Sequence, residues 1–321
     1  MRRMILASAM AALLSCGAQA QTVTLRAAHT SAANEPYQVG LQKFADSLAK
    51  SSSGAIKVEI FPNAQLGDES SVIKSMQSGG IALSPVSNSP LAEFVPELHL
   101  FDLPFLFRDR SHAYKVVDGP IGHSFDQLCE AKGLVLLGFF EAGIRNILNS
   151  VKPINTLDDF KGMKIRVIPS SINLDTFRAL GANPVPIQYS QLYVALQNKT
   201  VDAAEAANSN YEAKKFYEVA SNYAMVEWQI QLAPLVMSKK VYDGLTPQQQ
   251  AAVKAAAKEA IATERETYAA SDDVSMKALL AAGVKVTKPD RAPWIAAVKP
   301  MIAKWAPTIG EKKIADVDAT K

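Results

Sequence analysis

The residue in this sequence whose type and setting suit chemistry on an anion is Arg166, in Lys161-Gly162-Met163-Lys164-Ile165-Arg166-Val167-Ile168-Pro169. Taken as a strand, the segment alternates: Ile165 and Val167 share one face, and Lys164, Arg166 and Ile168 share the other. Pro169 cannot donate to a sheet ladder, so it ends the strand and leaves Arg166 near its C-terminal end. In open α/β sheets those ends border the crevice that takes ligands. A guanidinium there offers a planar fork of donors that matches a carboxylate. The same stretch also describes a solvated arginine at a strand end, and both readings stand at this point.

The chain around it narrows the choice. Arg2 and Arg3, an apolar run from Met4 to Leu14 and Ala18-Gln19-Ala20 form a secretory signal with an A-x-A site, so cleavage is expected after Ala20. The apolar run is too short to span a membrane, so no stable insertion is expected. Cys16, after Leu13-Leu14-Ser15, loosely imitates a lipidation site and is kept as the lesser alternative. Removing Arg2 and Arg3 from the 34 basic residues leaves 32 against 31 acidic ones. That balance gives no electrostatic case for nucleic acid or a membrane surface.

Other chemistry is thin. Past the signal the only cysteine is Cys129, which excludes an intrachain disulfide and a multi-cysteine zinc site. His29, His99, His112 and His123 show no metal-ligand spacing, and no cofactor or metal is expected. No G-x-S-x-G, P-loop or G-x-G-x-x-G occurs. An enzyme would have to use Glu69, Glu141 or Glu205 as acid or base, and nothing pairs these with a nucleophile or metal.

The elements that must position Arg166 alternate in type. Val23 to Ala28 predicts a strand, and Tyr37 to Lys50 an amphipathic helix with Leu41, Phe44, Ala45 and Leu48 on one stripe. Ile56 to Phe61 follows as a strand, Asp68 to Gln77 as a helix and Ile81 to Val86 as an apolar segment. After a helix near Ser111 to Val117, a strand is expected over Leu134 to Phe139. The pattern restarts with the Arg166 strand, a helix from Leu174 to Leu180, Val185 to Ile187, a helix near Gln191 to Asn198 and a short segment before Asp202. Two such sets predict two α/β lobes rather than one long sheet.

Thr246-Pro247-Gln248-Gln249 is a capping box with proline at the first helical position, and no glycine or proline follows until Gly283. Some 36 residues would extend about 54 Å, beyond the roughly 30 Å of a small domain. An unbroken helix must therefore cross both lobes; the alternative is two helices joined near Ser271-Asp272-Asp273. A last helix is expected from Trp294 to Trp305.

Segments spread over the chain carry a family resemblance: Phe61-Pro62-Asn63-Ala64-Gln65-Leu66-Gly67, Phe94-Val95-Pro96-Glu97, Leu103-Pro104-Phe105-Leu106-Phe107, Leu157 to Val167, Leu192 to Gln197, Val201-Asp202 and Lys215 to Val219. In this order they resemble the substrate-binding proteins of tripartite ATP-independent periplasmic (TRAP) transporters, the family of dicarboxylate and sialic-acid receptors. The resemblance implies a two-lobed periplasmic binding protein of type II-like fold, with a hinge and a long helix spanning both lobes. It implies a monomeric periplasmic receptor that closes on a small organic acid and serves TRAP membrane subunits. Lobe 1 would comprise 21–142 and 232–271, and lobe 2 143–231 and 272–321. Hinges are expected at Gly143 and near Leu232 to Leu235.

By position, the resemblance places the family's carboxylate-binding arginine on Arg166 and a second ligand-facing arginine on Arg145. It places an aromatic on Tyr189 and first-lobe loop positions on His29, Thr30, Glu69, Ser87 and Asn88. Where the family reads Asp-Gly-x-Glu-Asn, this chain reads Asp202-Ala203-Ala204-Glu205-Ala206-Ala207-Asn208. Ala206 thus replaces a ligand-holding asparagine, and Asn208 or Asn210 is the candidate to supply the amide. Trp228 stacks on the ligand or packs as a core tryptophan. A charge-assisted hydrogen bond contributes about 1.5–3 kcal/mol, whereas micromolar to nanomolar binding needs about 8–12. Arg166 can select the carboxylate, and closure must supply the rest. The alternatives are a secreted enzyme on such a fold, or a binding protein serving a sensor or an ATP-driven importer.

Overall fold

The computed structural model describes residues 22–321. The signal segment Met1 to Ala20, its cleavage site and Cys16 lie outside the described residues. Nine strands form one sheet: β1 (Val23–Ala28), β2 (Ile56–Phe61), β3 (Leu83–Pro85), β4 (Leu134–Asn149), β5 (Lys164–Val167), β6 (Asn183–Pro186), β7 (Ala203–Ala206), β8 (Asn222–Ser238) and β9 (Lys285–Thr287). Their order is β2-β1-β3-β8-β4-β7-β5-β6, with β9 beside β8. β2-β1-β3 and β7-β5-β6 are parallel at the two ends, as the alternation of elements requires.

The expectation of two separate sheets is corrected at the centre. β4 runs 16 residues to Asn149 instead of stopping at Phe139, and pairs antiparallel with β8 along its length. Register shifts at Leu136/Gly138, Glu141/Gly143 and Arg145/Ile147 let this two-stranded ribbon twist and pass from one end of the sheet to the other. Gly138 and Gly143, which resemble breaks in the sequence, belong to these irregularities. The expected segment before Asp202 is instead β7, directly after it.

Four apolar cores flank the sheet. Leu25, Leu41, Phe44 and Phe140 gather on one face near β1, and Ile73, Leu91, Phe101, Phe125 and Phe139 form the second core at that end. Ile165, Val167, Phe177, Trp228 and Trp294 fill one core at the other end, and Leu148, Leu192, Tyr211 and Tyr223 fill its counterpart. The terminal helices Ala292–Ile309 and Glu311–Ala319 do not stay with one end. Trp294 and Val298 pack with Phe177, whereas Met301, Ile309 and Val317 pack with Phe101.

The long helix is continuous over Pro247–Ala281, with no break at Ser271 to Asp273. Its capping box is formed: Gln249 N donates to Thr246 Oγ1 at 3.3 Å, and Thr246 N donates to Gln249 Oε1 at 2.9 Å. Val253, Ala256 and Ala257 pack against the β1 end and Leu279 against the β7 end, so one rod touches both. Among the described residues no helix is long and apolar enough to cross a membrane.

Glu264, on the buried face of this helix, is fully buried. Its Oε2 accepts Glu141 N–H at 2.9 Å, and its Oε1 has no partner among the described residues. Burial holds its carboxyl well above the usual range. A raised folded-state value means the stability from the neutral acid is complete at low pH and is lost as pH rises through that value. Glu264→Gln is therefore expected to raise the unfolding midpoint at pH 8, by about 2–4 °C per kcal/mol relieved, and to change little at pH 4. Thermal unfolding followed by circular dichroism at the two pH values checks this.

Candidate functional site

Ile165 and Val167 face the Phe177 core, so strand alternation turns Arg166 the other way. It arrives in a cavity between the two ends of the sheet, lined also by Thr30, Ser31, Tyr37, Glu69, Ser87, Ala142, Arg145, Ile168, Tyr189, Asn210, Gln231 and Tyr268. The cavity itself is about 30 Å3, room for a water or two, so a sugar-sized acid enters only if the two walls part.

The cavity wall is organised by Glu205 of β7. β7 lies between β4, which carries Arg145, and β5, which carries Arg166. One carboxylate can therefore reach both cations. Arg145 Nε donates to Glu205 Oε2 at 2.6 Å, and Arg166 Nη1 donates to Glu205 Oε1 at 3.1 Å. All three side chains are buried, with Arg166 only 1 % exposed.

The arginines differ in what they leave free. Arg145 Nη1 donates to Ala142 O at 3.2 Å and Asn210 Oδ1 at 3.1 Å, and Nη2 donates to Glu205 O at 3.1 Å. Every nitrogen of Arg145 is thus engaged. Arg166 Nε donates to Ile187 O at 2.8 Å, which leaves Nη2 with no protein acceptor among the described residues. Burial opposes the charge of Arg145, but Glu205 outweighs it and the net shift is upward. For Arg166 burial and the neighbouring Arg145 outweigh Glu205, and the shift is downward. A guanidinium starts so far above neutrality that both remain cations. Among these three groups alone the count is two cations to one carboxylate; the Glu69 carboxyl also lines the cavity.

Tyr189 brings its ring within 5.9 Å of the Arg166 guanidinium carbon. Burial keeps the hydroxyls of Tyr37, Tyr189 and Tyr268 protonated well beyond their usual range, so they remain donors. Tyr189 Oη and Gln231 Nε2 are buried without a partner. Glu69 takes Ser87 N–H on Oε1 at 2.7 Å, and burial raises its carboxyl against the pull of Ser87 and the two arginines.

Of the candidates read from sequence, Arg166, Arg145, Tyr189, Glu69, Ser87 and Thr30 meet at this cavity. Four do not line it. His29 is held by Gln38 Oε1 at 2.9 Å, and Asn88 Nδ2 donates to Leu98 O at 2.8 Å. Asn208 accepts from Tyr223 Oη at 2.8 Å, and its Nδ2 donates to Asp272 O. Trp228 packs edge-on against Phe177 at 5.0 Å between ring centroids, as a core tryptophan. Tyr37, Gln231 and Tyr268 were missed, because each is an unremarkable residue of a helix or strand until the ends of the sheet are folded together. Among the described residues no cluster of His, Cys, Asp or Glu is placed to hold a metal ion.

The family model for bacterial extracellular solute-binding proteins, family 7 (DctP), matches residues 27–308. The chain belongs to this family. Family 7 is a class of solute receptors, not of enzymes. The chain is 32 % identical over 263 residues to a 2,3-diketo-L-gulonate-binding periplasmic protein of Escherichia coli, covering 82 % of this chain and 80 % of that one. It superimposes with a TM-score of 0.90 on a sugar acid binding protein of Advenella mimigardefordensis in complex with galactonate, at 33 % identity, covering 92 % of this chain and 97 % of the other. A TRAP periplasmic solute binding protein of Polaromonas bound to D-erythronate superimposes at 0.91, with 33 % identity and 93 % and 99 % coverage. The two-lobed α/β architecture is that of these proteins.

Within this family 7 chain, Gly143 does what no other residue can do beside Arg145. It has φ +84°, and a Cβ there would lie 2.4 Å from Ala207 Cβ and 2.6 Å from Tyr268 Cε1. Ala206, at the departure from the family's motif, is fully buried in β7 opposite Asn146.

Glu205 holds both guanidiniums in place, and its loss leaves two buried cations uncompensated. Glu205→Ala is expected to destabilise the protein by about 3–5 kcal/mol, read as a lower urea midpoint at unchanged slope.

Proposed function

We propose that this protein is a periplasmic receptor for a small hydroxylated organic acid. Met1 to Ala20 directs its export, and it hands the acid to TRAP membrane subunits. The observation that carries this reading is the set of unspent donors in one cavity: Arg166 Nη2, Tyr189 Oη and Gln231 Nε2. A carboxylate on Arg166 would use the first, and hydroxyls would use the others and the serine and threonine wall. Four of the five N–H groups of Arg145 are taken by protein acceptors, whereas Arg166 keeps three free of them among the described residues, so Arg166 is the main carboxylate position. That favours monoacids of the galactonate, erythronate or diketogulonate kind, as bound by the relatives, over C4 dicarboxylates.

Binding, not turnover, is the role: Glu205 spends its oxygens on the two arginines and Glu69 accepts from Ser87 N–H. In this reading 21–142 with 232–271 and 143–231 with 272–321 are the two lobes of a monomer, except that the terminal helices return to the first lobe through Met301, Ile309 and Val317. They close about Gly143 and Leu232 to Leu235.

The test is thermal unfolding of the exported form, refolded free of carried-over ligand, against sugar acids, hydroxy acids and C4 dicarboxylates. A ligand at 100 times its dissociation constant adds about 2.7 kcal/mol. The expected result is a midpoint rise with one class of hydroxylated monoacid, abolished in Arg166→Ala. No rise with any carboxylate sinks the reading, and a rise that survives in Arg166→Ala removes the arginine from its role.

A further inference from the structure

Asn210 lies where the cavity meets the opposite wall of the cleft. It belongs to the helix Asn208–Ala213, which follows β7 at one end of the sheet. Its Oδ1 accepts from Arg145 Nη1 at 3.1 Å. Its Nδ2 donates to Glu35 Oε2 at 2.6 Å. Glu35 sits in the turn between β1 and the helix Pro36–Ser51, at the other end of the sheet. Both residues are buried, at 8 % and 2 % exposure.

An amide has one acceptor oxygen and one donor nitrogen, so the two contacts of Asn210 depend on each other. Reversing the amide would set its NH2 against the Arg145 guanidinium and its oxygen against the Glu35 carboxylate. With Arg145 in place, Nδ2 must point across the cleft. Glu35 makes its two contacts with separate oxygens: Oε1 accepts Ala32 N–H at 2.9 Å, and Oε2 accepts from Asn210. Opening the cleft would return Glu35 to water and break its contact with Asn210.

We propose that Asn210 and Glu35 form a clasp across the cleft, oriented by Arg145, which makes capture of the acid and closure a single event. It rests on the acid-binding reading of the cavity and assigns Asn210 a positioning role in place of direct ligand contact. The departure at Ala206 is then not simply compensated four residues later: the amide of Asn210 is spent on Arg145 and Glu35.

A second tie lies just beyond the same helix. Lys214 Nζ donates to Asn63 Oδ1 at 2.8 Å and stands 5.7 Å from the centroid of the Tyr189 ring. Tyr189 is therefore within reach of Arg166 from the cavity and of Lys214 from the rim. The charge of Lys214 also favours the ionised form of Glu35, against the burial that raises its carboxyl.

The experiment is a double-mutant cycle on the dissociation rate of the acid that gives the largest thermal shift, read by stopped-flow tryptophan fluorescence. Asn210→Ala removes one side of the clasp. Glu35→Ala removes the other, taking away the Oε2 that accepts from Asn210 Nδ2. Each single variant is expected to release the acid about tenfold faster, equivalent to about 1.4 kcal/mol, with association within about twofold of the parent. The double variant should also be about tenfold faster, since the second change has nothing left to break. Ligand-free midpoints are expected to fall in both singles, because Asn210 also accepts from Arg145 and Glu35 from Ala32 N–H on their own sides of the cleft, so the clasp is read from the dissociation rate. Unchanged release in the singles, or a multiplied effect of about a hundredfold in the double, overturns the clasp and leaves the receptor reading intact. A parent that binds no acid overturns both.

Discussion

Two guanidiniums sharing one buried carboxylate is the constraint on which the site depends. Taking charges out of water costs several kcal/mol per ion after relaxation, and only close, well-aligned partners recover it. Arg145, Glu205 and Arg166 meet that condition because they stand on three neighbouring strands, β4, β7 and β5. Strand spacing of about 4.8 Å puts a carboxylate on the central strand within reach of both sides. The charge is not fully balanced, however. Within that triad one positive charge stays in excess, and Arg166 retains a nitrogen without a protein acceptor.

That arrangement explains features of the fold that otherwise have no purpose. Arg145 must leave a strand that also passes between the ends of the sheet, so β4 carries irregularities on both sides of it. Gly143 supplies the left-handed backbone there, in a space that Ala207 and Tyr268 leave too narrow for a side chain. Pro169 and Ile168 close the end of the Arg166 strand, and Ile168 becomes apolar wall for the cavity. The long helix braces both ends with alanines and Val253 at one and Leu279 at the other. Tyr268 on the same helix reaches the cavity, so the rod that spans the molecule is also part of its binding wall.

Closure and recognition draw on the same side chains. Asn210 touches Arg145 inside the cavity and Glu35 across it. Glu93 of the first end accepts Ser171 N–H of the other at 2.7 Å, and Lys214 meets Asn63 at the rim. Apart from the buried Glu35 contact these are exposed and individually weak. Their number matters less than where they lie, around one cavity whose polar wall is completed only when they form.

The sequence by itself determined the local grammar. Alternation fixed which face of its strand Arg166 occupies, Pro169 fixed where that strand stops, and the capping box at Thr246 with no breaker before Gly283 fixed a helix too long for one lobe. These are properties of neighbours in the chain, and neighbours are what a sequence displays. It also carried the family's segments, from which Arg145, Tyr189, Glu69, Ser87 and Thr30 were placed at the cavity they line. It read a stop in β4 at Phe139, because glycine marks an ending and a bulge alike until the partner strand is present. It set Asn208, Asn88, His29 and Trp228 beside residues that line the cavity, but whether a side chain turns to ligand or to backbone depends on partners tens of residues away. Only the tertiary structure decided that β7 lies between β4 and β5. The chain marks Glu205 only as a motif position and a candidate acid or base, and its role exists because strand order, not sequence order, sets it between two arginines.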